Sequence, residues 1–261
     1  MIEAALRRDR VVVMAGLMLV AISAWVWTLA GAGVSRNASG SHSMTKAIGS
    51  MVMTAVPWSP FHAALIFCMW WTMMAAMMVP SAAPVILLFA AIHRRQHSSP
   101  PFSAAGLLTA GYLAVWGAFS LASTLVQWGL EGGGLISTET MGVGGALAGG
   151  ILLAAGLYQL TPVKQACLSR CRSPVTFLTA HWRPGSVGAF RMGVVHGAYC
   201  LGCCWFLMTL LFVGGVMNPF WIGALALYVL FEKLVPGGLW LSRASGVILA
   251  GAGVLALTRM T

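Results

Sequence analysis

Long uninterrupted apolar runs govern what this chain can become. Seven stretches approach the roughly 20 mostly apolar residues that an α-helix needs to cross a bilayer. They are residues 11–34, 61–92, 102–130, 141–160, 189–215, 219–234 and 241–257. Hydrophobic residues make up 59% of the chain and charged residues 8%. A soluble domain carries roughly 45–50% apolar and about 25% charged residues, which excludes a soluble globular enzyme. The expected fold is all-α: a polytopic transmembrane helical bundle of about seven spans, with residues 1–261 forming a single domain. The second run is too long for one straight span and contains Pro80 and Pro84, so a kinked or broken helix is expected there. The first run is read as a span and not as a cleavable signal peptide, because no small-x-small cleavage site follows it. The sixth is the shortest.

The charge balance reads next as topology. Fifteen Lys and Arg stand against five Asp and Glu, a formal +10. Twelve of the fifteen fall on one side of the seven-span arrangement: Arg7, Arg8, Arg10, Arg94, Arg95, Lys164, Arg170, Arg172, Arg183, Arg191, Lys233 and Arg243. Only Arg36, Lys46 and Arg259 fall on the other. The positive-inside rule then puts the N-terminus in the cytoplasm and the C-terminus outside, in a multi-pass membrane protein. The basic excess serves orientation and membrane lipid, and no nucleic-acid partner is expected. Gly145 with Gly149, and Gly193 with Gly197, have the small-xxx-small spacing of close helix contacts.

Sulfur is the second constraint, with 16 Met and 6 Cys. The second run reads FCMWWTMMAAMMVPSAAP. Met69, Met73 and Met77 share a helical arc of about 80°, and Met74 and Met78 form an i, i+4 pair on the adjacent face. Methionine is also a flexible apolar filler, but five within ten residues beside a proline exceed what filling requires. The fifth run reads MGVVHGAYCLGCCWFLM. With His196 at zero, Cys200 falls at about +40°, Cys203 at about −20°, Cys204 at about +80° and Met192 at about −40°. A His inside a span is a functional-site hypothesis by default. The two runs are antiparallel, and if they pack together Met73 and Met77 face His196, Cys200 and Cys203. Thiolate, thioether and imidazole together suit Cu(I), whereas hard cations need oxygen ligands. Zinc is the second choice, since it gains nothing from methionine.

Glu232 is the one acidic residue near the later spans. It reads as a ligand, a proton acceptor or a counter-charge, or else as an interfacial partner of Lys233 or Arg243. The outer loop carries His42, Met44, Met51, Met53 and His62, and the loop after the fourth run carries Cys167 and Cys171 among basic residues. These two thiols would stay reduced on the cytoplasmic side.

Four segments, MWWTMMAAMMVPSAAP, YQLTPVKQACLSRCRSP, GVVHGAYCLGCCW and FEKLVPGG, occur in that order over residues 61–238. Together they resemble the predicted metal-binding integral membrane proteins, a bacterial family of unknown function also described as copper-chaperone-like. The resemblance implies metal association at Met73, Met74, Met77 and Met78 and at Cys200, Cys203, Cys204 and Glu232.

The preferred expectation is therefore a membrane protein that binds Cu(I) at an intramembrane Met/Cys/His site. It would transfer, store or deliver the ion to a periplasmic copper-accepting or copper-donating protein, alone or as a homo-oligomer, without being an enzyme. The alternatives are a membrane thiol–disulfide oxidoreductase, with Cys167 and Cys171 relaying electrons, and a copper-dependent membrane oxidase using His196 and Glu232. A P-type or ABC pump is excluded, because no phosphate loop, phosphorylated-aspartate motif or soluble domain is encoded.

Overall fold

A computed structural model describes residues 2–30, 58–96, 100–136 and 142–259. The outer-loop residues His42, Met44, Met51 and Met53 lie outside the described residues. Helices α1 (Ile2–Leu29), α2 (Pro60–Gln96), α3 (Phe102–Gly132), α4 (Gly145–Leu160) and α5 (Pro162–Arg172) are followed by α6 (Pro174–His181), α7 (Gly185–Thr209), α8 (Leu211–Gly214), α9 (Pro219–Leu234) and α10 (Gly238–Thr258). The described residues are thus all-helical apart from one isolated antiparallel bridge, Ile136 to Val143.

Five of these segments are long and apolar enough to cross a membrane: most of α1, then α2, α3, α7 with α8, and α10. Helices α4 and α5 meet at a 65° bend and add a sixth if the bent pair forms one broken span. By length and apolarity, five or six of the expected seven spans are supported. The shortfall is one of length: α4 and α9 have 16 residues each, about 24 Å of helix against a hydrocarbon core of about 30 Å. The outer faces are apolar, with Leu19, Val126, Val187, Val247 and Ile248 all exposed. In water such a surface would aggregate; against lipid it is the ordinary exterior.

Local chemistry explains several helix starts. Pro162, Pro174 and Pro219 each open a helix, where the missing N–H costs nothing and the fixed φ suits the first turn. Asn218 caps α9 by accepting from the backbone N–H of Phe220 and Trp221 at 3.2 and 3.3 Å. Thr161 caps α5 by accepting from the Lys164 N–H at 3.3 Å. The segment after the fourth run, expected as a loop, consists largely of α5 and α6 for this reason.

Of the kinked or broken helix expected for α2, the broken form is corrected. The helix runs without interruption from Pro60 to Gln96, through both Pro80 and Pro84. It is the core of the molecule, with fifteen buried residues that include Met69, Met73, Met74, Met77 and Met78. At 37 residues, or about 55 Å, it is longer than a bilayer core is thick, so it tilts or extends beyond one face.

Helices α3 and α7 approach each other closely. A Cβ on Gly193 would strike the Leu108 carbonyl, and one on Gly111 would strike the Phe190 carbonyl. Gly197 lies against Val115 and Tyr112. The second glycine spacing divides its work. Gly149 lies against Leu257 and Ala256 of α10, while Gly145 opens α4 with φ +62°. Backbone packing of this kind is what small residues allow between apolar helices.

Candidate functional site

The extended packing of α7 is against α3 and α5, whereas α2 packs mainly against α1 and α3. The methionine stripe and the thiol face are therefore not joined by a direct α2–α7 seam. Tyr112 of α3 bridges them. Its hydroxyl lies 3.1 Å from the Met78 carbonyl and 3.0 Å from Cys200 Sγ. The Met78 carbonyl also accepts from Ser81 Oγ at 2.8 Å.

Cys200 has a second polar neighbour. Lys233 Nζ, at the end of α9, donates to Cys200 Sγ at 2.8 Å and to Ser81 Oγ at 3.1 Å. Lys233 is only 6% exposed. An ammonium has no acceptor capacity, so the sulfur must be the accepting partner. Helices α3 and α9 thus place a phenol and an ammonium against a single buried sulfur, and Ser81 of α2 holds the ammonium from its other side.

The other residues of the thiol face are also buried. The thiols of Cys203 and Cys204 both donate to the Cys200 carbonyl, at 3.1 and 2.9 Å. His196 is buried, with its ring stacked on Tyr112 at 5.7 Å and tilted against Phe177 at 4.9 Å. Its Nδ1 has no hydrogen-bond partner among the described residues. Among the described residues, no three His, Cys, Asp or Glu side chains are grouped to hold a metal ion. A soft ion on this face would therefore have at most two such ligands, unless thioethers enlarge its shell. Met73, Met74, Met77 and Met78 are all at most 2% exposed.

Glu232 sits in a different constellation. Its Oε1 accepts from Lys164 Nζ at 2.7 Å and from the Tyr228 hydroxyl at 3.2 Å, and both charged side chains are fully buried. Lys164 also bonds Gln159 Oε1. Gln159 Nε2 donates to the Tyr228 hydroxyl at 3.0 Å and to Ser245 Oγ at 3.1 Å. Glu232 Oε2 has no partner among the described residues. The carboxylate of α9 is paired with Lys164 of α5, just past the α4–α5 bend, and not with Lys233 or Arg243. Lys164 and Lys233, counted as loop cations in the orientation argument, are interior residues with defined partners.

The sequence reading missed Tyr112, Lys233 as a partner of Cys200, Ser81 and the Gln159–Tyr228–Ser245 network. A usable signal existed for Lys233. It falls immediately after an apolar run and beside the only nearby acid, an arrangement that suits a buried, paired cation as well as a surface one. Tyr112 carried no such signal, because tyrosine in an apolar helix is ordinary. Cys171 was read apart from the thiol face, yet its Sγ lies 4.0 Å from Cys203 Sγ. His62 lies in the first turn of α2, edge-on to Trp58 at 5.2 Å.

The fold and this interior define a multi-helix protein of membrane-spanning character whose core collects sulfur donors. A family model for copper chaperones, PpoB2, matches residues 67–256, and the chain belongs to that family. The match begins within α2 and runs into α10, which extends the likeness read over residues 61–238 toward the C-terminus. Neither the curated proteins nor the solved structures give a match.

Proposed function

We propose that this chain is an inner-membrane copper chaperone, with a cytoplasmic N-terminus, that holds Cu(I) on buried sulfur and passes it to a periplasmic partner. Met73, Met74, Met77 and Met78 supply weak, exchangeable thioethers. Cys200, Cys203 and Cys204 supply the tighter ligands, and the unpartnered Nδ1 of His196 supplies an imidazole. The observation that carries the reading is the burial of four adjacent methionines and three thiols in one core, within a chain of the copper chaperone family. Cu(I) is the ion this donor set selects; zinc would use only the Cys and His part.

Charge supports the same assignment. One Cu(I) on one thiolate is neutral, and each further thiolate adds a negative charge. Lys233, 2.8 Å from Cys200 Sγ, supplies a compensating positive charge without adding a competing ligand. Glu232 is committed to Lys164 and would act as a counter-charge, not as a ligand.

The test is metal content after anaerobic purification, for wild type beside Cys200→Ser and Met73→Leu. Near-stoichiometric copper in wild type, reduced in both variants, is expected. Copper absent from wild type, or indifferent to both changes, refutes the site. A quinone-dependent change in free thiols without metal would instead identify a thiol–disulfide oxidoreductase.

A further inference from the structure

Two cysteines that the sequence separates from the thiol face come to lie against it. Cys167 and Cys171 are four residues apart on α5 and so share one helix face. Helix α5 packs on α7, and both thiols meet α7 at adjacent positions. A Cβ placed on Gly202 would lie 2.9 Å from Cys167 Sγ, and Cys203 Sγ lies 4.0 Å from Cys171 Sγ. All of the described cysteines are free. Exposure falls along the series: Cys167 is half-buried, Cys171 is buried, and Cys203 is completely enclosed.

We propose that Cys171 of α5 and Cys203 of α7 form a two-thiolate seat for Cu(I), with Cys167 the next sulfur toward the surface. The inference rests on the copper reading above and gives it a route. An ion entering at the exposed, cytoplasmic side of α5 reaches the buried donors of α2 and α7 by exchange from Cys167 to Cys171 and then to Cys203. A metal–thiolate bond is about 2.3 Å. Sulfurs 4.0 Å apart can therefore share an ion at an angle of about 120°, or linearly if each moves outward by about 0.3 Å.

Seating the ion exchanges two S–H bonds for two S–Cu bonds and releases two protons, with no change of oxidation state. The resulting unit carries one negative charge. Lys233, bonded to Cys200 one helical turn from Cys203, is placed to balance it. Arg170 and Arg172, flanking Cys171, add positive charge on the outer side.

The test uses the full-length reduced protein in detergent under anaerobic conditions, with Cu(I) itself as the probe. Affinity is measured by competition with a colorimetric Cu(I) chelator for wild type, Cys171→Ser and Cys68→Ser. Cys68 is exposed and remote from the seat in sequence. Cys171→Ser is expected to weaken binding at least tenfold and Cys68→Ser to leave it unchanged. A second measurement needs no variant. In wild type, Cu(I) is expected to slow N-ethylmaleimide modification of Cys171 and Cys203 together at least tenfold, while Cys68 reacts as before. Unchanged affinity in a folded Cys171→Ser protein, or modification of Cys171 indifferent to Cu(I), overturns the two-thiol seat and leaves the wider copper reading standing. A wild-type protein that binds no Cu(I) overturns both.

Discussion

Replacing Lys164 with Met tests whether the interior charge network is as the geometry describes. Lys164 and Glu232 are both fully buried and 2.7 Å apart, and Glu232 Oε2 has no partner among the described residues. Removing the ammonium leaves a carboxylate in an apolar core with only the Tyr228 hydroxyl to bond it. Breaking a buried pair this way costs about 3–5 kcal/mol. At about 2–4 °C per kcal/mol for a chain of this size, the apparent Tm falls by about 6–20 °C. Thermal unfolding in detergent, followed through the fluorescence of the 11 Trp residues, reads the shift. Adding Glu232→Gln removes the stranded charge, so the double variant recovers most of the loss. Breaking a buried pair and deleting it are different events: the first leaves an unpaired charge, the second does not. A Lys164→Met protein within about 1 kcal/mol of wild type, or a double variant no more stable than Lys164→Met, refutes the buried ion pair.

Four further outcomes follow from the packing and topology. Gly193→Ala forces a methyl against the Leu108 carbonyl; the overpacking cost of about 1–3 kcal/mol outweighs the ~1 kcal/mol gained in helix propensity. Gly106→Ala meets open space on α3 and leaves apparent Tm unchanged or higher in the same assay. Tyr112→Phe lowers stability by only about 1 kcal/mol, because Ser81 still bonds the Met78 carbonyl and Lys233 still bonds Cys200; a loss above about 3 kcal/mol would contradict that accounting. A topology reporter fused after Thr261 appears outside the cytoplasm if the N-terminus is inside and the crossings are odd in number. A cytoplasmic signal would make α4 with α5 the sixth span and leave α9 uncrossed.

The apolar runs and the turn chemistry made most of the architecture legible. Runs of apolar residues located α1, α2, α3, α7 and α10 to within a few residues or a turn or two. The Thr161–Pro162 and Ser173–Pro174 pairs already carried the start signals for α5 and α6, although the charge-rich composition favoured reading a loop. Hydropathy could not tell α9 from a full span, because its composition is right and only its length falls short. The helical periodicity of His196, Cys200 and Cys203 correctly put all three on a buried face. It could not reveal which helix covers that face. Lys233 approaches Cys200 from 33 residues away and Tyr112 from 88, and such contacts are set by tertiary packing, not by local pattern. The pairing of Cys171 with Cys203 was hidden for the same reason.

The most direct test of the central claim is X-ray absorption at the copper edge on anaerobically purified, copper-loaded protein. The account predicts an edge typical of Cu(I) and a first shell dominated by sulfur. That sulfur count should fall when Cys200 and Cys203 are replaced by Ser. A Cu(II) edge, or a shell of oxygen and nitrogen unaffected by those replacements, would contradict it.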